Sequence, residues 1–400
     1  MSGFIPYARP HWTAEESRAL DRVLESGMWT GGDRVPEFER ELAALTGAPT
    51  VVLSSGTAAV FALLHLLGTR SRGPRLLVTP TLTFAAAPAS ARFLGWDVAL
   101  CDVRSDDLTI DADRLGPLLE RVHRDYARIV VMPVHYAGHS CDLPAVSAVC
   151  ERYGATLVED ACHAIGGRYD GEHSVPVGAW PGSLAAYYSF HPTKPVAAGE
   201  GGAVATRDPV LLEELRAFRN HNMVPVPRHT DDHSPWPYSI DLPGMNLRLS
   251  EFHAAVGLVQ ARRAEEARRN RARLADRYHA ALAELPAVRA VPPVRRPGSA
   301  HHLFPVVLDL PRMGLGKPQL LAELRARGIG CQVHYTPLHR LPAFADTPAR
   351  LRTEFPVADA VFPRLVSLPL WHGMRDTDQE RVTDALADLV LRRPIPGGIR

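Results

Sequence analysis

Four hundred residues is too long for one small core and implies one large domain plus a smaller one. The chain is 46% hydrophobic and 22% charged, as ordinary globular proteins are, and its formal net charge of +1 gives no electrostatic case for nucleic acid or an acidic membrane as partner. The five cysteines are odd in number, widely spaced and without a CxxC pair, so neither a disulfide framework nor a zinc site is expected and a reducing cytoplasm fits.

Met1 to Pro10 has no basic segment followed by an apolar one, so no secretory signal is expected. Helical spacing opens after a cap at Thr13 and runs to Ser26; the glycine-rich Met28–Trp29–Thr30–Gly31–Gly32 loop separates it from a second helix, Val35 to Thr46. The longest apolar run, Val51 to Leu67, contains Ser54, Ser55, Gly56, Thr57 and His65. It reads as strand, turn and buried helix rather than a membrane span. Strands at Arg75–Val78, Asp97–Asp102, Arg128–Pro133 and Thr156–Val158 then alternate with helices at Ala85–Leu94, Asp111–Arg121 and Pro144–Tyr153. That alternation predicts βαβ crossovers and a mostly parallel sheet covered on both faces, with ligands beyond the carboxyl ends of the strands. Ser55–Gly56–Thr57, Thr83–Phe84, His135–Tyr136 and Asp160 all follow strands and are expected on one edge.

A helix from Asp208 to His221 leads into a proline- and histidine-rich loop, Val224 to Pro243, read as a surface excursion. One long helical region is expected from Leu249 to Leu285. Its run of Arg262, Arg263, Glu265, Glu266, Arg268 and Arg269 reads as a solvated face. The composition shifts here, which puts the domain boundary near residue 260: residues 1–260 form the large domain and 261–400 the small one. The small domain reads as α+β, with strands His302–Leu308 and Ile329–His334 and helices Pro318–Arg327 and Asp376–Leu391.

Lysine is scarce. Of 45 Lys plus Arg only Lys194 and Lys317 are lysines; the other 43 are arginines. Arginine replaces lysine on a wet surface but not as a nucleophilic amine, because its guanidinium stays protonated. Lys194 sits between Ser189–Phe190 and Gly199–Glu200–Gly201–Gly202 and reads as an imine-forming lysine, with a plain loop cation as the alternative. Ser55–Gly56–Thr57 at a strand-to-helix junction suits a phosphate, or is a simple turn capped by Thr57. Asp160 ends a buried strand, where a carboxylate needs a partner; a protonated pyridine nitrogen is one, a helix N-terminus another. Phe84 could stack on a ring or fill the core.

In this order the motifs Ser-Gly-Thr (55–57), Glu-Asp-x-x-His (159–163), Ser-Phe-His-x-x-Lys (189–194), Gly-Glu-Gly-Gly (199–202) and Gly-x-Asn-x-Arg (244–248) resemble the DegT/DnrJ/EryC1/StrS family of sugar aminotransferases. The resemblance covers nearly the whole chain, from Trp29–Thr30–Gly31–Gly32 to Val333–His334–Tyr335 and Ser367–Leu368–Pro369–Leu370. It implies the aspartate aminotransferase fold (fold type I): an α/β large domain with a mostly parallel central sheet plus a smaller C-terminal α+β domain. It implies pyridoxal 5′-phosphate (PLP), passing through pyridoxamine 5′-phosphate (PMP). Lys194 would form the imine and shuttle the proton, Asp160 would pair with the ring nitrogen, and His163 would bond the 3-hydroxyl. Ser55, Gly56, Thr57 and Ser189 would hold the phosphate and Phe84 would stack on the ring. Asn246 would reach the neighbouring subunit's phosphate, which makes the active unit at least a homodimer. Substrate contacts are implied at Trp29, Thr30, His191, Arg248, His334 and Tyr335, and no metal. The chain departs from the family pattern at Asn222, where glycine is usual; asparagine tolerates a left-handed backbone, so the turn is expected to survive.

Pro133–Val134–His135–Tyr136–Ala137–Gly138 and Glu159–Asp160–Ala161–Cys162–His163–Ala164 most resemble aminotransferases of nucleotide-linked 4-keto-6-deoxy sugars, especially the pseudaminic acid type. The implied donor is glutamate or glutamine. A keto-cyclitol (inosose) or another antibiotic-pathway ketone is the alternative acceptor, and a non-catalytic PLP-binding regulator a distant third. Lys194 argues against the family's dehydratase branch, where histidine replaces the lysine. A nicotinamide dehydrogenase fails for want of a GxGxxG after the first strand.

Overall fold

The computed structural model describes residues 3–169, 175–225, 238–294 and 296–391. Its strands are β1 (Thr50–Leu53), β2 (Arg75–Pro80), β3 (Asp97–Cys101), β4 (Arg128–Val131), β5 (Thr156–Asp160), β6 (Ala185–Ser189), β7 (Gly202–Thr206), β8 (Val224–Pro225), β9 (Tyr238–Ser239), β10 (Val288–Ala290), β11 (Phe304–Leu308) and β12 (Leu365–Leu368). The helices that frame the site are α1 (Ala14–Ser26), α2 (Arg34–Thr46), α3 (Gly56–Thr69), α4 (Ala86–Phe93), α5 (Ala112–Val122), α6 (Leu143–Tyr153), α7 (Pro209–Phe218), α8 (Glu251–Arg262) and α9 (Ala264–Ala283).

The large sheet has the order β1-β7-β6-β5-β4-β2-β3. β7 runs antiparallel to both its neighbours, and the other pairs are parallel. The strands are buried almost end to end because helices cover both faces, and successive residues feed opposite layers. Val52 and Val78 join Phe38 and Leu42 in one core; Val51, Leu53 and Leu77 join Leu63 of α3 in the other. The expected alternation is present, and β6 and β7, which carry the lysine motif between them, join the sheet without having been expected as strands.

β10, β11 and β12 form a second, antiparallel sheet. α9 and the helix Asp376–Leu391 pack on it through Leu274, Tyr278, Val382 and Leu386. Two expectations fail here. Ile329–His334 is not a strand: Ile329 bridges Ile5 and Gln332 bridges Ser367, so the N-terminal segment takes the pairing that a neighbouring strand would need. The helical region Leu249–Leu285 is two helices, broken at Arg263. Arg263 also leaves the solvated face, turning inward to pair with Glu16 of α1. Most of the loop Val224–Pro243 lies outside the described residues. Asn222 does adopt the left-handed backbone, with φ 56°, and His221 before it has φ 61°. No helix among the described residues is long and apolar enough to cross a membrane.

Candidate active site

A cavity of ≈ 320 Å³ opens where β1, β2, β5 and β6 end. Its lining brings together Ser55, Gly56, Thr57, Phe84, Asp160, His163, Ser189, His191, Lys194, His334 and Tyr335. Trp29, Thr30, Asn246 and Arg248 are not among them. The Trp29 ring lies on Phe252 at 5.6 Å, Asn246 is exposed, and Arg248 Nη1 donates to Asn220 Oδ1 at 2.7 Å.

Lys194 follows β6 on a tight turn, its N–H donating to the His191 carbonyl at 2.8 Å. Its side chain makes no hydrogen bond or ion pair among the described residues. Burial holds its amine below the ordinary lysine range, against an opposing pull from Cys162 and Asp160. That is the direction a nucleophilic amine needs.

Asp160 closes β5 and is 6% exposed. Its Oδ1 accepts the Cys162 N–H at 3.0 Å and its Oδ2 accepts the Tyr187 hydroxyl. It therefore caps a local turn and faces the cavity at once, with no ion pair to a cationic side chain among the described residues. Alternation along the strand sends Glu159 the other way. Glu159 Oε2 is fully buried and accepts from His135 Nε2 at 2.7 Å and the Tyr169 hydroxyl at 2.6 Å. The expectation that His135 and Tyr136 share the site edge is corrected by the same geometry. His135 turns to Glu159, Tyr136 donates to the His334 carbonyl at 2.5 Å, and Val134 lines the cavity instead.

At the other end, Ser55 rather than Thr57 caps α3, its hydroxyl accepting from Ala58 N–H at 3.0 Å. Gly56 sits against β6: a Cβ there would lie 2.8 Å from Ser189 Cβ, and one on Gly202 would lie 2.4 Å from the Ser55 carbonyl oxygen. Only a chain without side chains at these points lets the free N–H groups and positive end of α3 meet Ser189 across a phosphate-sized cradle.

On the wall, His163 Nε2 hydrogen-bonds the Tyr335 hydroxyl at 2.8 Å, while its buried Nδ1 has no hydrogen-bond partner among the described residues. His302 packs against it at 4.5 Å between ring centroids. Burial, with Lys194 nearby, keeps the imidazoles of His163 and His334 neutral, the latter pushed down to about 4. His334 Nδ1 is held to Ser367 Oγ at 2.9 Å. Phe84 stands at the mouth, 63% exposed. A phosphate cradle, a cavity-facing carboxylate and, among the described residues, an imidazole nitrogen and an amine without hydrogen-bond partners fit PLP.

Tyr187 and His302 line the cavity and sequence reasoning missed both. Tyr187 had a signal, since it lies two residues before Ser189 and shares its strand face. His302 arrives from the second sheet and had none.

The fold and this lysine–carboxylate cavity define a PLP-dependent aminotransferase of fold type I. Residues 10–387 match the DegT/DnrJ/EryC1/StrS aminotransferase family. The spore coat polysaccharide biosynthesis protein SpsC of Bacillus subtilis is 31% identical over 392 residues, covering 97% of each chain. Helicobacter pylori PseC, an aminotransferase involved in the biosynthesis of pseudoaminic acid, superposes with a TM-score of 0.87 at 25% identity, covering 97% of this chain and 99% of that one. DesI in the presence of its TDP-sugar product gives 0.83 at 28%, covering 98% and 94%. The PLP form of a Streptococcus pneumoniae sugar aminotransferase gives 0.83 at 26%, covering 97% and 98%. The chain belongs to the DegT/DnrJ/EryC1/StrS family and is a sugar aminotransferase that works with PLP.

Proposed function

We propose that the protein moves an amino group from glutamate or glutamine to the ketone of a nucleotide-linked 4-keto-6-deoxy sugar. The observation that carries this reading is the Lys194 amine, without a hydrogen bond or ion pair among the described residues and held below the ordinary lysine range, in one cavity with the Asp160 carboxylate. PLP, when bound, supplies an electron sink for charge developing at the carbon that gains or loses the amine. Lys194 would take the proton from the donor's carbon and return one to the acceptor's. Asp160 would hold the ring nitrogen and His163 the 3-hydroxyl. Ser55, Gly56, Thr57 and Ser189 would hold the phosphate, and Phe84 would stack on the ring.

The nucleotide part of the reading is supported by the likeness to DesI, solved in the presence of its TDP-sugar product, and the amino-sugar part by the likeness to PseC, involved in the biosynthesis of pseudoaminic acid. Trp29, Thr30, His191, Arg248, His334 and Tyr335 stay as proposed substrate contacts, and a two-domain division near residue 260 belongs to the same reading. Asn246, exposed and outside its own cavity, is proposed to serve a partner subunit's phosphate in a homodimer.

The test supplies a nucleotide-linked 4-keto-6-deoxyhexose with glutamate and follows 2-oxoglutarate. Turnover is expected with the nucleotide-linked sugar and not with the free keto sugar. Turnover only with an inosose would move the substrate to the cyclitol class. Borohydride reduction followed by peptide mass spectrometry is expected to leave a pyridoxyl adduct on Lys194; an adduct elsewhere would sink the lysine assignment.

A further inference from the structure

The Asp160 carboxylate is not a bare acceptor. Register pairs it with Tyr187 on the adjacent parallel strand β6. Residues paired this way project to the same face of a sheet, so the Tyr187 ring stands beside the carboxylate in the cavity wall. Tyr187 is 2% exposed, lines the cavity and donates its hydroxyl to Asp160 Oδ2. Its neighbour Tyr188 points to the opposite layer and donates to the Val177 carbonyl at 2.7 Å. The Cys162 N–H holds Oδ1 at 3.0 Å, and the Ala161 N–H donates to the Tyr187 carbonyl at 3.0 Å, locking strand to strand. Each carboxylate oxygen thus has a donor already, and a carboxylate oxygen can accept more than one, so Asp160 can still accept from the cavity that it lines.

We propose that Tyr187 is a positioning residue: its hydroxyl holds Asp160 in one orientation and draws charge from it, so the cofactor's ring nitrogen is protonated less firmly than a bare buried carboxylate would make it. The inference rests on the reading that Asp160 faces that nitrogen. A hydrogen bond donated to a carboxylate favours its charged form and lowers its basicity, and in a dry site the effect passes along the chain of bonds. The donor is permanent, because burial beside Asp160 keeps the Tyr187 hydroxyl protonated well beyond the ordinary tyrosine range. The tyrosine therefore sets the depth of the electron sink from outside the ring, as second-layer groups tune a metal ligand.

The test binds PMP labelled with ¹⁵N at the ring nitrogen to the holo-sized, purified enzyme and reads the nitrogen's chemical shift. Tyr187→Phe keeps the ring and removes only the hydroxyl. Its signal is expected to move toward the protonated limit, while Tyr188→Phe leaves the signal where it is. Placing 3-fluorotyrosine at position 187 gives a more acidic donor and is expected to move the signal the opposite way; this arm does not depend on the phenylalanine variant folding. An unchanged shift in both position-187 variants would overturn the proposal. Asp160→Asn separates the two readings. If it moves the signal and the position-187 variants do not, only the role of Tyr187 fails. If Asp160→Asn also leaves the signal in place, the pairing of Asp160 with the ring nitrogen fails first.

Discussion

At the scale of single residues, the site wall is built from groups kept neutral by burial, and this has a cost in acid. In the unfolded chain an imidazole takes up a proton near its ordinary 6.5; in the native protein His334 resists until about 4, and His163 and His302 are depressed in the same direction by burial. Between those values the unfolded state binds more protons than the native one, so stability must fall as pH falls from about 6.5 toward 4. For His334 alone the loss is on the order of 3 kcal/mol. Urea denaturation of the apoenzyme at pH 7.5 and pH 5 should show the drop, and His334→Asn should shrink it. A slope in that variant as steep as in the wild type would remove His334 as a cause. Lys194 was legible from the sequence because arginine had displaced nearly every other lysine. Tyr187 was not, since nothing local says which side of β6 meets a carboxylate from another strand.

At the scale of elements, three junctions direct the chain, and the first of them shapes the cavity. α3 starts at Gly56 directly under β6, and the two close contacts made possible by Gly56 and Gly202 fix how near its N-terminus comes to Ser189. The α8–α9 break at Arg263 redirects the chain, with Arg263 tied back to Glu16. The third junction, after α7, places two successive non-glycine residues, His221 and Asn222, in left-handed backbone beside Gly244, where an added Cβ would lie 2.5 Å from Asn222 N. Left-handed backbone strains a residue that carries a Cβ, and among the described residues the His221 side chain gains no hydrogen bond in return. His221→Gly is therefore expected to stabilise the protein by roughly 0.5–1 kcal/mol. Thermal unfolding checks this; a lower melting temperature would show that the imidazole contributes packing that outweighs the strain. The helices between the strands of the large sheet, α4, α5 and α6, were legible to within one residue, whereas α7 ends at Phe218, three residues before the expected His221. Ile329–His334 was misread because its apolar pattern suits a strand, while the segment beside it offers only Ile5 and Ser367 as pairing partners.

At the scale of the whole molecule, the two sheets are not independent bodies. Leu338 and Phe344 pack in the core of the large sheet, and Val307 and Leu365 of the second sheet pack with Leu82 and Tyr136. His302 and His334 enter the cavity from that second body, so the proposed division near residue 260 crosses the site itself. In the proposed homodimer the site crosses a further boundary, because Asn246 would complete the partner's phosphate cradle. Mixing inactive Lys194→Ala and Asn246→Ala homodimers under exchanging conditions should then restore up to about a quarter of wild-type activity, since half of the dimers are mixed and each mixed dimer has one intact site. No recovery at full subunit exchange would place Asn246 outside the partner's site.

The sequence by itself determined which residues at or just after strand ends line the cavity: Ser55, Gly56, Thr57, Asp160, Ser189 and Lys194. Each is set by a local rule, a strand that must end, a helix that must be capped, or a chain that must pass close without a side chain, and such rules leave short, readable motifs. Only the tertiary structure decided that His135 turns to Glu159 rather than the cavity, that Tyr187 clasps Asp160, that His302 joins His163, and that Asn246 lies outside the cavity of its own chain. Those outcomes depend on which strands lie side by side and in what register. That is settled by burying the two faces of the sheet, a condition on the whole chain that no single stretch of it carries.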